Sequence, residues 1–457
     1  MNNCIVVGGG LCGLFSSILL AEKFKNVYVI DSEEHCGGLL KSVKDELGIV
    51  YDQGTHIPNT TGIEAIDNIL FGPKPERSLH WQGLGKLKTG NYFGGKWDLE
   101  TQVVDTRKLP EQVYQKGILE LLSRTEQSTA EDIATYLNDT LGPTFTSEIA
   151  FPLIQKLYGQ DVDPSSLKTH SSVSYFGLSR VIGLSPEVTK KLKEIPAFDD
   201  KLGYHSAADY DQRILNDETV EPTYYYPTNG KGVQYWIDGL IDQAKNKGVG
   251  FITKEYINKI EHKTGSISKV HLANSNKILD CDFLFWSAPP ALALNAAGIT
   301  SKKAKLDFRT ANIFHYNFDL PILNSESHYI WNWDLKAKSF RVTLHPNLDK
   351  NKNTNHLTIE ALSGKEDSDK ITSEDMLNEL KDMKLISNET KVISHLRQTI
   401  HNTFPVPTFE FSEATKDNYE KLSKVFNNVM VSGRFSGKHW FHGDVIKAAF
   451  NEINERF

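Results

Sequence analysis

The chain has 457 residues, 39% hydrophobic and 24% charged, enough for two domains around a sizeable core. Its net charge of −7 leaves no electrostatic footprint for nucleic acid or an anionic membrane surface, so an anionic substrate would need locally placed Arg or Lys. Cys4, Cys12, Cys36 and Cys281 have no zinc spacing, which leaves no metal site and points to reduced thiols in the cytoplasm; no apolar run reaches the ~18 residues of a membrane helix.

The first forty residues carry the strongest signal. A strand at Cys4–Val7 leads into Gly8-Gly9-Gly10-Leu11-Cys12-Gly13, then a helix, a second strand at Val27–Ile30, and Asp31. This is G-x-G-x-x-G in the context that gives it meaning. Gly8 permits the tight turn, Gly10 admits a pyrophosphate to the backbone, and Gly13 lets helix and strand pack closely. The helix start at Leu11 and Cys12 offers unpaired N–H groups to phosphate, and Asp31, followed by Ser32, stands where a carboxylate accepts from ribose hydroxyls. The apolar start lacks a basic leader and is broken by glycines, so it is not read as a signal peptide.

After Asp31 the chain does not proceed to a third parallel strand and helix. Gly37-Gly38-Leu39 places a glycine pair where backbone meets a dinucleotide a second time, and a short strand from Ile49 runs into Gly54-Thr55-His56. Residues 109–215 read as mostly helical, with helices at Ala130–Leu141 and Phe145–Tyr158, the latter closed by Gly159. A polar, Lys-rich stretch follows from Ser185 to Asp217. Tyr226-Pro227-Thr228-Asn229-Gly230-Lys231-Gly232 enters an amphipathic helix, followed by short strands at Tyr256–His262, Lys269–Ala273 and Lys277–Leu279 and an apolar strand ending at Trp286. Residues 305–400 alternate as strands: Ala311–Leu320, Tyr329–Trp333, Ser339–Leu344 and His356–Leu362. Asp349 to Asn355 reads as a hairpin tip and Asp367–Lys384 as helical. The chain closes with a strand into Gly433-Arg434 and a helix starting at Gly443-Asp444-Val445, whose amides suit a flavin pyrimidine carbonyl.

The glycine loop, the glycine pair, the Gly54-Thr55-His56 turn and the terminal Gly433-Arg434…Gly443-Asp444 together resemble the FAD-dependent superfamily of UDP-galactopyranose mutase, protoporphyrinogen oxidase and the amine oxidases. The resemblance implies an α/β fold: a discontinuous Rossmann-like FAD domain (1–57, 224–297 and 405–457) and an α+β substrate domain (58–223 and 298–404) with a mixed or antiparallel sheet and a helical insertion. It implies FAD as cofactor and a small-molecule substrate.

In the mutases a glycine–histidine turn matching His56 lies against the flavin near N5, an arginine matching Arg341 holds the diphosphate, and an aromatic–glycine pair closes a helix beside the substrate. Tyr158 stands here where tryptophan is usual. Arg434 matches the arginine reaching FAD phosphate or flavin. Arg180 and Arg309 are weaker phosphate candidates. Where the mutases carry two tyrosines on the diphosphate, this chain has Lys438 and Trp440-Phe441. The resemblance thus implies nucleotide-sugar isomerisation through flavin N5. Hydride transfer to flavin in an oxidoreductase is the alternative, and a non-catalytic FAD-binding protein a third. His56, Tyr158 and Arg341 also have bland alternatives: a satisfied turn histidine, a helix-end packing residue and a structural ion pair. The sequence leaves the oligomeric state open.

Overall fold

The computed structural model describes residues 2–85, 87–169, 177–206, 223–349 and 354–457. The expected hairpin tip at Asp349 to Asn355 lies largely outside them, as does the end of the polar stretch running to Asp217.

Five strands form a wholly parallel sheet in the order Val429–Val431, Phe283–Trp286, Asn3–Val7, Asn26–Ile30, Gly250–Ile252. Residues of the first strand alternate between two buried cores. Cys4 and Val6 face helices Leu11–Leu20, Gln234–Asn246 and His442–Arg456, whereas Ile5 and Val7 face a three-stranded antiparallel sheet of Ile257–Lys263, Ser266–Leu272 and Ile278–Asp280. Burial on both faces is why this strand reads as continuously apolar. The position beyond the second strand, where a nicotinamide-type fold continues at once, is taken by Gly250–Ile252. The chain after Asp31 instead makes an antiparallel pair, Ser42–Lys44 with Val50–Asp52.

The second sheet has seven strands, in the order Val392–Pro405, Phe308–Phe318, His356–Ser363, Ser339–Leu344, Tyr329–Asn332, Thr89–Phe93, Lys96–Asp98. It is antiparallel except where Tyr329–Asn332 runs parallel to Thr89–Phe93, so it is mixed, as expected. On one face Leu357, Ile359, Val342 and Leu344 pack against helix Ser373–Asp382 through Met376 and Leu380. The other face carries a polar block in its middle: Arg341, Thr343 and His345 beside His356, Thr358 and Glu360, with His315 on the next strand. A helical layer with Glu111–Leu122, Ile133–Leu141 and Phe151–Tyr158 surrounds a further core containing Trp331 and Phe340. The expected helix at Phe145–Tyr158 is split, because Thr146–Ala150 forms a wider π turn before Phe151.

Among the described residues no helix is long and apolar enough to cross a membrane, and no group of three or more His, Cys, Asp or Glu could hold a metal ion.

Candidate functional site

The glycine loop leaves the first strand in a backbone conformation only glycine adopts freely. Gly8 has φ +97°, and a Cβ there would lie 2.3 Å from Ser287 Oγ. A Cβ on Gly13 would lie 1.8 Å from Gly8 O, so this helix can approach its strand only without a side chain. Helix Leu11–Leu20 has no side-chain cap, and its first intrahelical bond runs from Leu14 N–H to Gly10 O, which leaves the Leu11, Cys12 and Gly13 amides ahead of it as anion donors. Gly37 N–H donates to Gly9 O at 2.8 Å, and a Cβ on Gly38 would lie 3.5 Å from Gly10 Cα. Two stretches of bare backbone therefore face each other across a cradle that side chains would fill. That arrangement fits a dinucleotide pyrophosphate.

Asp31 has a second task that its sequence position did not reveal. Its Oδ2 accepts from Gly9 N–H at 2.6 Å and its Oδ1 from Glu33 N–H at 2.8 Å, so the carboxylate fastens the loop. A carboxylate has about four acceptor positions, which leaves capacity for ribose hydroxyls. Ser32 and Leu39 flank these two backbone stretches.

The C-terminal segment closes over the same loop. Cys12 Sγ donates to Ser432 Oγ at 3.6 Å, and Gly433, at φ +87°, abuts Ser287. Arg434 Nε donates to Trp440 O at 2.8 Å, with its guanidinium 5.2 Å from the Trp440 ring centre. The last helix begins at His442, one residue before the expected start. It too lacks a side-chain cap, and its first helical bond is Val445 N–H to Phe441 O. The amides of Gly443 and Asp444 precede that bond, and Asn59 lies beside Gly443.

Beyond this segment stands a cluster around His56. Its Nε2 lies 3.1 Å from Gln53 O; since a carbonyl only accepts, the ring donates there and keeps Nδ1 as its acceptor. Burial, then the nearby Arg341 and Arg434 charges, push its pKa down to about 4 against the opposing pull of Glu360, so the imidazole is neutral at pH 7. Arg341 makes a two-pronged ion pair with Glu360, Nε to Oε1 and Nη2 to Oε2, both 2.8 Å. The two side chains are only 11% and 4% exposed. The guanidinium also lies over the rings of Phe340 and Trp331, 5.1 and 5.5 Å from their centres. Glu360 Oε1 further accepts from Thr55 Oγ1, which meets Thr343 Oγ1, and a Cβ on Gly54 would lie 3.0 Å from Glu360 Oε2. Burial raises the Glu360 pKa, but the Arg341 charge and hydrogen bonds outweigh it and hold the carboxyl below its usual range.

His56, Arg341, Thr55 and Arg434 are thus brought together. Three other candidates point elsewhere. Lys438 Nζ binds Tyr419 OH and sits over that ring, Arg180 Nε donates to Asp199 O, and Tyr158 is buried in the helical core. Tyr158 closes its helix before Gly159 (φ +123°), where a Cβ would lie 3.1 Å from Arg309 Nη1.

Two residues of the cluster were missed by sequence reasoning. Glu360 looks like any acid in a strand and gains its meaning from Arg341 across the ladder. His442 precedes the Gly443-Asp444 pair, which was the available signal. Its ring packs edge-on to Trp236, its Nε2 is buried without a hydrogen-bond partner, and burial, then Arg434 and His56, push its pKa down to about 3.

A family model described as an NAD(P)-binding Rossmann-like domain matches residues 6–67. No curated protein matches the chain. Among solved structures, a reduced UDP-galactopyranose mutase matches with TM-score 0.76 at 16% identity, covering 100% of this chain and 94% of that one. A candidate protoporphyrinogen oxidase from Exiguobacterium sp. 255-15 matches at 0.66 and 13% identity, covering 100% and 98%. An oxidoreductase from Methanosarcina mazei matches at 0.58 and 14% identity, covering 99% and 100%. At such identities the likeness is one of fold: the chain carries a Rossmann-like domain at its start and shares its overall fold, along its whole length, with the UDP-galactopyranose mutase and the candidate protoporphyrinogen oxidase.

Proposed function

We propose that the chain is an FAD-dependent enzyme of mutase type, acting on a nucleotide-sugar or related carbohydrate. The observation that carries this reading is the joining of the glycine loop, through Cys12–Ser432 and Arg434, to a cluster of two neutral imidazoles and two guanidinium groups. The whole-chain likeness in fold to a UDP-galactopyranose mutase supports it. FAD, rather than a nicotinamide dinucleotide, suits a chain that turns back into an antiparallel pair after Asp31 and supplies a second uncapped helix start at His442.

In this reading the Leu11, Cys12 and Gly13 amides hold the pyrophosphate, Asp31 the ribose, and the Gly443 and Asp444 amides the pyrimidine edge of the ring. A flavin held there would supply a reactive N5. His56, kept uncharged by burial and two arginines, would meet such a ring without adding charge. Arg341 and Arg434 stabilise the negative charge of a departing diphosphate. Residues 1–57, 224–297 and 405–457 form the cofactor domain and the remainder the substrate domain. The four free cysteines suit a reducing, cytoplasmic setting.

The test is direct. Purified protein should take up FAD, turn yellow, and after dithionite reduction interconvert pyranose and furanose forms of a UDP-sugar. Failure to retain FAD removes the whole reading. FAD retention without sugar conversion removes the mutase assignment.

An oxidoreductase reading is favoured by one observation: the Arg341 fork is already occupied by Glu360, and Trp331 and Phe340 surround it. Rapid bleaching of the flavin by an amine or a planar apolar substrate, with peroxide formed on reoxidation, would select it.

A further inference from the structure

Arg341 is the cation best placed for a substrate anion, yet both prongs of its fork lie on a buried carboxylate. An incoming anion competes for the same N–H groups, and Glu360 cannot follow the guanidinium. Its Oε1 is held by Thr55 Oγ1, and its Oε2 takes up the space beside Gly54 that a side chain there would fill, since an added Cβ would lie 3.0 Å away. A buried carboxylate that loses its ion-pair partner loses the largest influence holding its pKa down and keeps only the lesser Thr55 hydrogen bond against burial, which raises it. The other titratable groups acting on it give no replacement: His56 is neutral on its turn, and His315, on Phe308–Phe318, is buried and neutral with its pKa pushed down to about 4 by burial.

We infer that an anion reaching Arg341 binds together with one proton, which Glu360 takes from solvent as the guanidinium changes partner. Two N–H···O bonds to Glu360 are broken and two to the anion are formed. The carboxylate becomes a carboxylic acid, so the proton offsets one unit of the negative charge that the anion brings in. The inference deepens the reading above by stating how the anionic part of the substrate is admitted: Glu360 is a specificity residue that makes affinity depend on pH. A neutral substrate would gain nothing from the exchange.

The experiment titrates the full chain with inorganic sulfate, which carries no titratable proton near neutrality, between pH 6 and 8, with UDP in parallel at pH 8. Wild-type affinity for sulfate should fall about tenfold per pH unit, the slope for one coupled proton. Calorimetry in two buffers of different ionisation enthalpy should return close to one proton taken up per anion. The near-isosteric Glu360→Gln variant, checked for folding by circular dichroism, should bind sulfate with a flat pH profile and no proton uptake. Arg341→Lys should lose most of the binding while remaining folded. A flat wild-type profile overturns the inference, as does a slope that persists in Glu360→Gln, which would trace to His56. Sulfate binding with proton uptake at pH 8 but no UDP binding at that same pH overturns only the nucleotide-sugar reading. Failure to bind either anion overturns both.

Discussion

Gly13 is the residue on which the Rossmann-like domain most depends. A methyl group there would sit 1.8 Å from the Gly8 carbonyl, and both atoms belong to backbone that the sheet and helix fix. Gly13→Ala should therefore cost about 1–3 kcal/mol by overpacking and abolish dinucleotide uptake; urea unfolding and FAD fluorescence measure the two effects separately. This role was legible in the sequence because the loop, its strand and its helix are contiguous. The opposite case is Arg341, whose neighbours in the chain, Phe340 and Val342, say nothing of Glu360 across the ladder. Its candidate phosphate role and its rival ion-pair role looked alike until register placed the two side chains together. Removing the cation by Arg341→Ala leaves a buried, unpaired carboxylate and should cost roughly 3–5 kcal/mol. The double variant Arg341→Met, Glu360→Leu should recover most of that loss, because it removes both charges and keeps volume. Equal destabilisation of single and double variants in urea would mean that packing, not charge, accounts for the loss.

Elements were legible where one period persisted. Ser339–Leu344 was read at its observed limits, and the terminal helix began one residue early. The miss at Phe145–Tyr158 has a local cause, since Phe151-Pro152 follows a π turn that hydrophobic periodicity cannot distinguish from a regular helix. The entry into helix Gln234–Asn246 shows the same division. The Tyr226-to-Gly232 pattern announces a turn, but its anchor, Asp52, lies far away in sequence. Asp52 Oδ2 accepts from Tyr226 OH at 2.6 Å, while Oδ1 accepts from Val233 N–H and Ser42 Oγ, both at 2.8 Å. Gly232, at φ +64°, leaves room for that oxygen, since a Cβ would lie 2.4 Å from it. Asp52→Ala strands three buried donors, and the loss should be about 2–4 kcal/mol. Hydrogen exchange should show the effect first at the start of this helix, whose Ile237 lies beside Gly37, 3.3 Å from where a Cβ would stand.

At the scale of the whole molecule, the polar block between the large sheet and the Tyr51–His56 segment makes stability depend on pH. His56, His315 and His442 have pKa values pushed down by burial to about 4, 4 and 3, against 6.5 when exposed. Between about pH 6.5 and 4 the unfolded chain therefore binds more protons at these three sites than the folded one, and stability falls as pH drops through that window. Asp52 opposes them: burial raises its pKa from 3.8 to about 6, so between those values the folded state holds the extra proton. Its contribution falls as pH rises across the same interval. Three sites against one leave a net loss on acidification, and Glu360, held below its usual range chiefly by Arg341 despite burial, adds to the loss at the acid end. With no dinucleotide added, the protein should accordingly lose a few kcal/mol of unfolding free energy between pH 6.5 and pH 4, at roughly 1.4 kcal/mol per pH unit for each net proton. Urea midpoints measured across that range give the slope. His315→Asn should make it shallower by about one proton, because His315 stands on the strand beside that of Glu360, away from the glycine loop, and its imidazole is fully buried between Thr358 and Gln398. An unchanged slope in that variant would place the acid sensitivity elsewhere than in the polar block.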